Sequence, residues 1–258
     1  MTAWILECII RTQISEVSHS TLWVKTSEIY VSPMKKFPYT PLQIAMHIYA
    51  WSALILLIFD AVSGNLSANP IQDLEQRTGR HAITLLVLSL LCTPLNTLFK
   101  WSEPLKRRRA LGLYAFMYAT IHVVIFADLD YGLAWSRLIQ EVIEKPRLVV
   151  GMIAFALLIP LAITSFDIWK KRLGKNWKRL HQVSYLIAPL VVLHYLWSKK
   201  GDVLSLQGEV VKPLIYGIII AIFLIMRIPP IRKALASFST RMLALLPGKN
   251  RQPKVNTP

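Results

Sequence analysis

The stretch Leu180–Ser198, LHQVSYLIAPLVVLHYLWS, runs for 19 residues without Asp, Glu, Lys or Arg and carries two histidines, His181 and His194. A helix crossing the hydrocarbon core of a bilayer needs about 20 apolar residues. The stretch therefore reads as a membrane span with imidazoles inside it. Five more charge-free blocks follow the same rule: Phe37–Phe59, His81–Phe99, Ala110–Ala127, Leu148–Phe166 and Pro213–Met226. The last is short, but Lys212 and Arg227 flank it and can carry their charges outward on long stems. None of the blocks alternates with a period of two, so helices rather than a closed barrel satisfy the backbone in lipid. The expected fold is an all-α integral membrane protein, a six-transmembrane-helix bundle.

Composition points the same way. Hydrophobic residues make up 54% of the 258 and charged residues 17%, against about 25% charge in a soluble domain. The formal net charge of +16 does not mark a nucleic-acid-binding chain, because a soluble polybasic protein is not this apolar. The charge sits at span ends instead. Lys100 with Lys106–Arg109, Lys170–Arg179, and Arg227 with Arg232 and Lys233 share one side with both tails. That side holds 22 basic and 5 acidic residues, the other 8 basic and 9 acidic. Excess Lys and Arg marks the cytoplasmic side, so both termini are expected there. Trp101, Trp169 and Trp177 fall near the inner boundary, Trp135 and Trp197 near the outer one, as interfacial aromatics do.

The connections are informative through what they lack. The longest between spans, residues 60–80, has no room for a soluble catalytic domain. Ten glycines form no GxG pair, and Cys8 and Cys92 form neither a CxxC nor a CxxCH motif. A dinucleotide loop, a disulfide scaffold and covalent haem attachment are excluded on that ground. Leu133–Ile143 reads as an amphipathic helix on the outer surface, with Leu138, Ile139, Val142 and Ile143 on one face and Pro146 as its stop. Residues 1–33 offer no span, no basic leader and no cleavage site, and are expected to be a dispensable extension. Residues 34–238 then form the membrane domain and 239–258 a basic cytoplasmic tail.

Histidine is the ionisable residue left at membrane depth, and such residues mark functional sites by default. His47 lies in the first span, His122 in the third, His181 and His194 in the fifth, and His81 at the outer mouth of the second. At about 1.5 Å rise per residue, His122 and His194 reach similar depth in the outer halves of two helices that run the same way. A haem held edge-on between two helices needs one imidazole from each. His47 and His181 share the inner half. Thirteen residues of helix separate His181 from His194 by about 20 Å and roughly 140° of rotation, with Pro189 between them as a source of kinking. His81 is expected to face water. Arg80, at the outer mouth, suits a haem propionate.

With these residues in view the chain resembles the MsrQ family, haem-bearing membrane subunits of bacterial methionine sulfoxide reductase systems, within the wider group of ferric-reductase-like transmembrane domains. The resemblance covers about Met34 to Phe238. Its carriers are Asn69-Pro-Ile-Gln-Asp73, Thr78-Gly-Arg80, Thr93-Pro94, Arg108-Arg-Ala-Leu-Gly112, Ala119-Thr-Ile-His122, Arg172-Leu-Gly-Lys-Asn-Trp-Lys-Arg-Leu-His181 and Leu193-His-Tyr-Leu-Trp-Ser198. It implies a multi-pass bacterial inner-membrane protein that binds b-type haem through His122, His181 and His194, with His47 also on a family histidine position. It further implies FMN as a second cofactor, and electrons drawn from the quinone pool or a cytosolic flavin reductase. Those electrons would pass to MsrP, a periplasmic molybdopterin reductase that repairs oxidised methionines. On this reading the chain is an electron-transfer subunit rather than the catalytic one.

Two rivals from other classes remain at this stage. A six-span transporter would line a pathway with the histidines and needs broken helices or paired polar residues at mid-depth, for which Pro160 and Pro189 are weak hints. A non-catalytic membrane scaffold needs no histidines at matched depth.

Overall fold

The structure is a computed structural model that describes residues 39–199, 201–202 and 207–245. The expected extension 1–33 and the end of the basic tail lie outside the described residues. Helix α1, Pro41–Val62, starts where the Thr40 hydroxyl accepts from the Gln43 amide at 3.3 Å and Pro41 occupies the first turn. Helix α2, Pro70–Phe99, starts the same way on Asn69, whose side chain accepts from the Gln72 amide at 3.2 Å. Both starts join an N-cap acceptor to a proline whose missing N–H costs nothing in the first turn.

Helix α3, Glu103–Ile125, runs into a π-helical turn, Phe126–Asp130. Helix α4 is Trp135–Glu144 and α5 is Pro146–Ile163. Three shorter pieces follow: α6, Asp167–Leu173, α7, Lys175–His181, and α8, Ser184–Trp197. A two-residue antiparallel ribbon pairs Gly201–Asp202 with Gln207–Gly208. Helices α9, Val211–Ile225, and α10, Pro229–Leu245, complete the described chain.

Five helical segments among the described residues are long and apolar enough to cross a membrane, and α9 with α10 makes a sixth candidate bent by 84°. The multi-pass, all-helical expectation is met. The fifth span differs in detail from its sequence reading. It breaks at Gln182–Val183, between α7 and α8, rather than at Pro189, which lies inside α8. His181 and His194 therefore lie on either side of a two-residue irregularity within one span, Lys175–Trp197. Helix α10 also runs through residue 238, where the membrane domain was expected to end.

Helices α2 and α3 pack along their length, α5 packs on α8, and α8 on α9. The core is centred on α3, where Tyr114 and Tyr118 are fully buried. Both tyrosines find partners, as a buried hydroxyl must. Tyr118 donates to the Ala50 carbonyl at 2.7 Å, and the Tyr114 hydroxyl lies 2.7 Å from His47 Nδ1. Pro94 sits inside α2 and cannot donate to the Leu90 carbonyl. Arg227 supplies the missing donor, its Nη2 lying 2.6 Å from that oxygen, while its guanidinium rests 4.5 Å from the Tyr185 ring centroid. At the opposite end of the bundle Arg77 bridges Asp60 at 2.6 Å and Asp73 at 2.8 Å, joining the end of α1 to the start of α2.

Candidate functional site

Helices α3 and α8 each place a histidine in their last turn, His122 and His194. The two rings lie with centroids 6.2 Å apart and planes at 80°. Two imidazole nitrogens each about 2 Å from one metal ion put the ring centroids about 6 Å apart. The spacing leaves room for one metal ion between the two rings.

The backbone decides how each ring presents itself. His122 Nδ1 lies 3.0 Å from the Glu75 carbonyl on α2, and His194 Nδ1 lies 2.8 Å from the Arg147 carbonyl on α5. A carbonyl only accepts, so in both rings the proton sits on Nδ1 and the lone pair on Nε2. An imidazole whose second nitrogen donates to a carbonyl is fixed in tautomer and orientation and made a better ligand. Thr78 lies beside the first contact. Its hydroxyl donates back to the Leu74 and Glu75 carbonyls at 2.8 and 3.0 Å and lies 3.5 Å from His122 Nδ1.

Glycines make room for both rings. A methyl group at Gly151 on α5 would stand 2.6 Å from His194 Nδ1 and 2.8 Å from its Cε1. At Gly79 on α2 it would stand 3.4 Å from His122 Nδ1. Each imidazole therefore lies against a glycine of the helix whose carbonyl it binds. Among the described residues no group of three His, Cys, Asp or Glu side chains is placed to hold a metal ion. Two imidazoles with free Nε2 lone pairs are the donor set that a b-type haem would need.

The remaining expected site residues lie apart from this pair. His181, at the end of α7, sets Nε2 3.2 Å from the Thr164 hydroxyl, and Trp177 covers its ring at 4.2 Å. Thr164 donates its own proton to the Pro160 carbonyl at 2.6 Å, so His181 Nε2 is the donor to Thr164. Trp177 Nε1 closes the group by donating to the Thr164 carbonyl at 2.8 Å. His47 is held by Tyr114 on α3, and no ring contact joins it to His181 among the described residues. Arg80 is exposed, with no ion pair among the described residues. His81, expected to face water, is half-buried. It bonds the Tyr49 hydroxyl at 3.1 Å and packs against Tyr118. Beyond the spans, Lys199 donates to Glu209 at 2.5 Å and holds that exposed carboxyl below its ordinary range.

Sequence reading missed Gly151 and the two carbonyls, and met Gly79 and Thr78 only as part of a motif. A lone glycine among large residues, as in Leu148-Val-Val-Gly-Met152, is the available signal of close approach in a span.

An apolar helical bundle with two imidazole rings 6.2 Å apart fits a haem-type transmembrane redox component. Residues 78–192 match the family described as ferric reductase like transmembrane component. A protein-methionine-sulfoxide reductase heme-binding subunit MsrQ from Cronobacter sakazakii is 37% identical over 195 residues, which cover 75% of this chain and 94% of that protein. The subunit of the same name from Xanthomonas axonopodis pv. citri is 40% identical over 167 residues, covering 65% and 73%. One from Herminiimonas arsenicoxydans is 39% identical over 168 residues, covering 65% and 75%. The chain belongs to the MsrQ family.

Proposed function

We propose that this chain is the b-type haem electron-transfer subunit of a methionine sulfoxide reductase system, spanning the bacterial inner membrane six times with both termini cytoplasmic. Electrons enter at the basic end, from the quinone pool or a cytosolic flavin reductase. They leave at the opposite end to MsrP, the periplasmic molybdopterin reductase that repairs oxidised methionines.

The observation that carries this reading is the His122/His194 pair, with both Nδ1 protons tied to carbonyls. A b-type haem held there would supply one-electron chemistry, with both ligating positions taken by this chain's own imidazoles. His122 and His194 supply the two Nε2 lone pairs. The Glu75 and Arg147 carbonyls hold the Nδ1 protons in place, and Gly79 and Gly151 let the rings lie close to α2 and α5. Thr78 keeps the Glu75 carbonyl oriented. His181, against Trp177 and Thr164, and His47, against Tyr114, mark the entry end. The relatives carry the name heme-binding subunit, which supports the same assignment.

The test is a visible spectrum of the purified protein before and after dithionite. The expected result is a reducible b-type spectrum that loses intensity in His122→Ala and His194→Ala while both variants remain inserted. A colourless wild-type protein, or normal haem loading and electron delivery in both variants, would overturn the proposal.

A further inference from the structure

We infer that α10 is an interfacial helix that binds anionic phospholipid, with a stripe of apolar side chains in the acyl region and its basic residues on the headgroups. The inference is independent of the haem assignment.

Three observations place it there. The chain turns by 84° between Val211–Ile225 and Pro229–Met242, so with α9 along the membrane normal α10 lies close to the membrane plane. The turn comes at the end of the bundle that carries the excess of basic residues. Helix α10 is also docked rather than loose. Ser239 is buried and donates to the Leu98 carbonyl near the end of α2, and Ile231 and Leu235, on the same side, are half-buried.

Beside that docked face lies a second apolar stripe. Ala234, Phe238 and Met242 follow at i, i+4 and i+8 and are all exposed, Phe238 by 60% and Met242 by 50%. This stripe continues the exposed apolar surface of α9, where Ile215, Ile218, Ile222 and Ile225 lead through Ile228 into the turn. A membrane is what covers the α9 surface in a spanning helix, and the same bilayer covers its continuation.

The polar side of α10 selects the lipid. Arg232, Lys233 and Arg241 are exposed, and no Asp or Glu occurs between Arg227 and Pro258. A helix with a large apolar face and a basic polar face lies in the headgroup boundary. Each Lys or Arg near an anionic surface is worth about a fivefold gain in binding. Phosphatidylglycerol at the inner leaflet meets that charge, whereas a zwitterionic headgroup offers no net attraction.

The test uses the full chain in lipid nanodiscs, with Cys8 and Cys92 replaced by Ser and one bimane label at Phe238→Cys or Thr240→Cys. The expected result is strong quenching at position 238 by acyl-brominated phosphatidylglycerol, at least several-fold above brominated phosphatidylcholine at equal mole fraction. The label at 240, on the other side of the helix, is quenched by aqueous iodide instead. Arg232→Gln, Lys233→Gln and Arg241→Gln together abolish the preference for phosphatidylglycerol while lipid quenching at 238 persists. Iodide quenching at 238 without lipid quenching would mean that α10 faces water or a protein partner, and would overturn the inference. Equal quenching by the two lipids in the otherwise unchanged protein would overturn its anionic-lipid part. Circular dichroism and size-exclusion profiles matching the wild type show that the labelled variants are folded.

Discussion

Gly151 and Gly79 have the same task but unequal tolerance. A methyl at Gly151 falls 2.6 Å from His194 Nδ1, closer than real contacts allow, and the ring must leave the Arg147 carbonyl to make room. At Gly79 the methyl meets His122 at 3.4 Å, an ordinary van der Waals contact. Disturbing the group that orients a ligating imidazole costs about 10- to 100-fold in metal affinity. Gly151→Ala is therefore expected to weaken haem binding by that factor in a haemin titration, while Gly79→Ala titrates near the wild type. The opposite ranking would refute the reading of these contacts. His181 makes a different prediction. It lies at the basic end, so His181→Ala should block reduction by an inner-side donor while a small outer reductant still reduces the haem at His122/His194. An unaltered spectrum with full inner-side reduction would remove its entry role. The histidines themselves were legible as charge-bearing residues in apolar stretches. Their contacts were not, because the oxygens they bind lie 47 residues away in the chain in both cases.

Among the elements, α2 carries a defect that another helix repairs. Pro94 leaves the Leu90 carbonyl without its helical donor, and Arg227 at the end of α9 fills the place at 2.6 Å. A hydrogen bond from a charged donor contributes about 1.5–3 kcal/mol. Pro94→Ala would return a backbone N–H to the carbonyl and make the arginine redundant. Arg227→Met should therefore destabilise the Pro94 protein more than the Pro94→Ala protein, with a coupling of about 1 kcal/mol in a double-mutant cycle. Thermal unfolding in detergent would measure it, and additive effects would show that the two sites are independent. Pro94 was visible in the sequence, but its partner, 137 positions from Leu90, was not. The same holds for α4. Its amphipathic helix was expected, yet the face divides: Leu138 and Val142 are half-buried while Ile139 and Ile143 stay exposed. Which half of an apolar stripe meets protein depends on the rotation of the helix, and neighbouring helices set that rotation.

At the scale of the whole molecule, the described contacts of the His122/His194 site come from α2, α3, α5 and α8, all within residues 70–197. Deleting residues 1–33 is therefore expected to leave insertion, haem content and electron delivery unchanged. Membrane-fraction abundance and the dithionite difference spectrum check it, and a truncated protein that fails to accumulate would refute it. Sidedness follows from the charge count. Cysteine labels placed near Lys175 should react from the cytoplasm and labels near Gly64 from the periplasm, and the reverse pattern would invert the proposed direction of electron flow.

The sequence by itself determined the membrane class, the approximate helical spans, the side that carries the positive charge and the histidines worth attention. Each is a local property: apolar run length decides what lipid accepts, and an imidazole inside such a run is costly wherever the helix ends up. Only the tertiary structure decided that His122 meets His194 at 6.2 Å, that both Nδ1 atoms lie against carbonyls, and that a side chain at Gly151 would crowd the His194 ring. It also turned the chain by 84° between α9 and α10 and placed the break in the fifth span at Gln182–Val183. Those outcomes depend on the rotation and offset of helices far apart in the chain. Apolar patterning leaves both free, because in lipid every face of a helix is already satisfied.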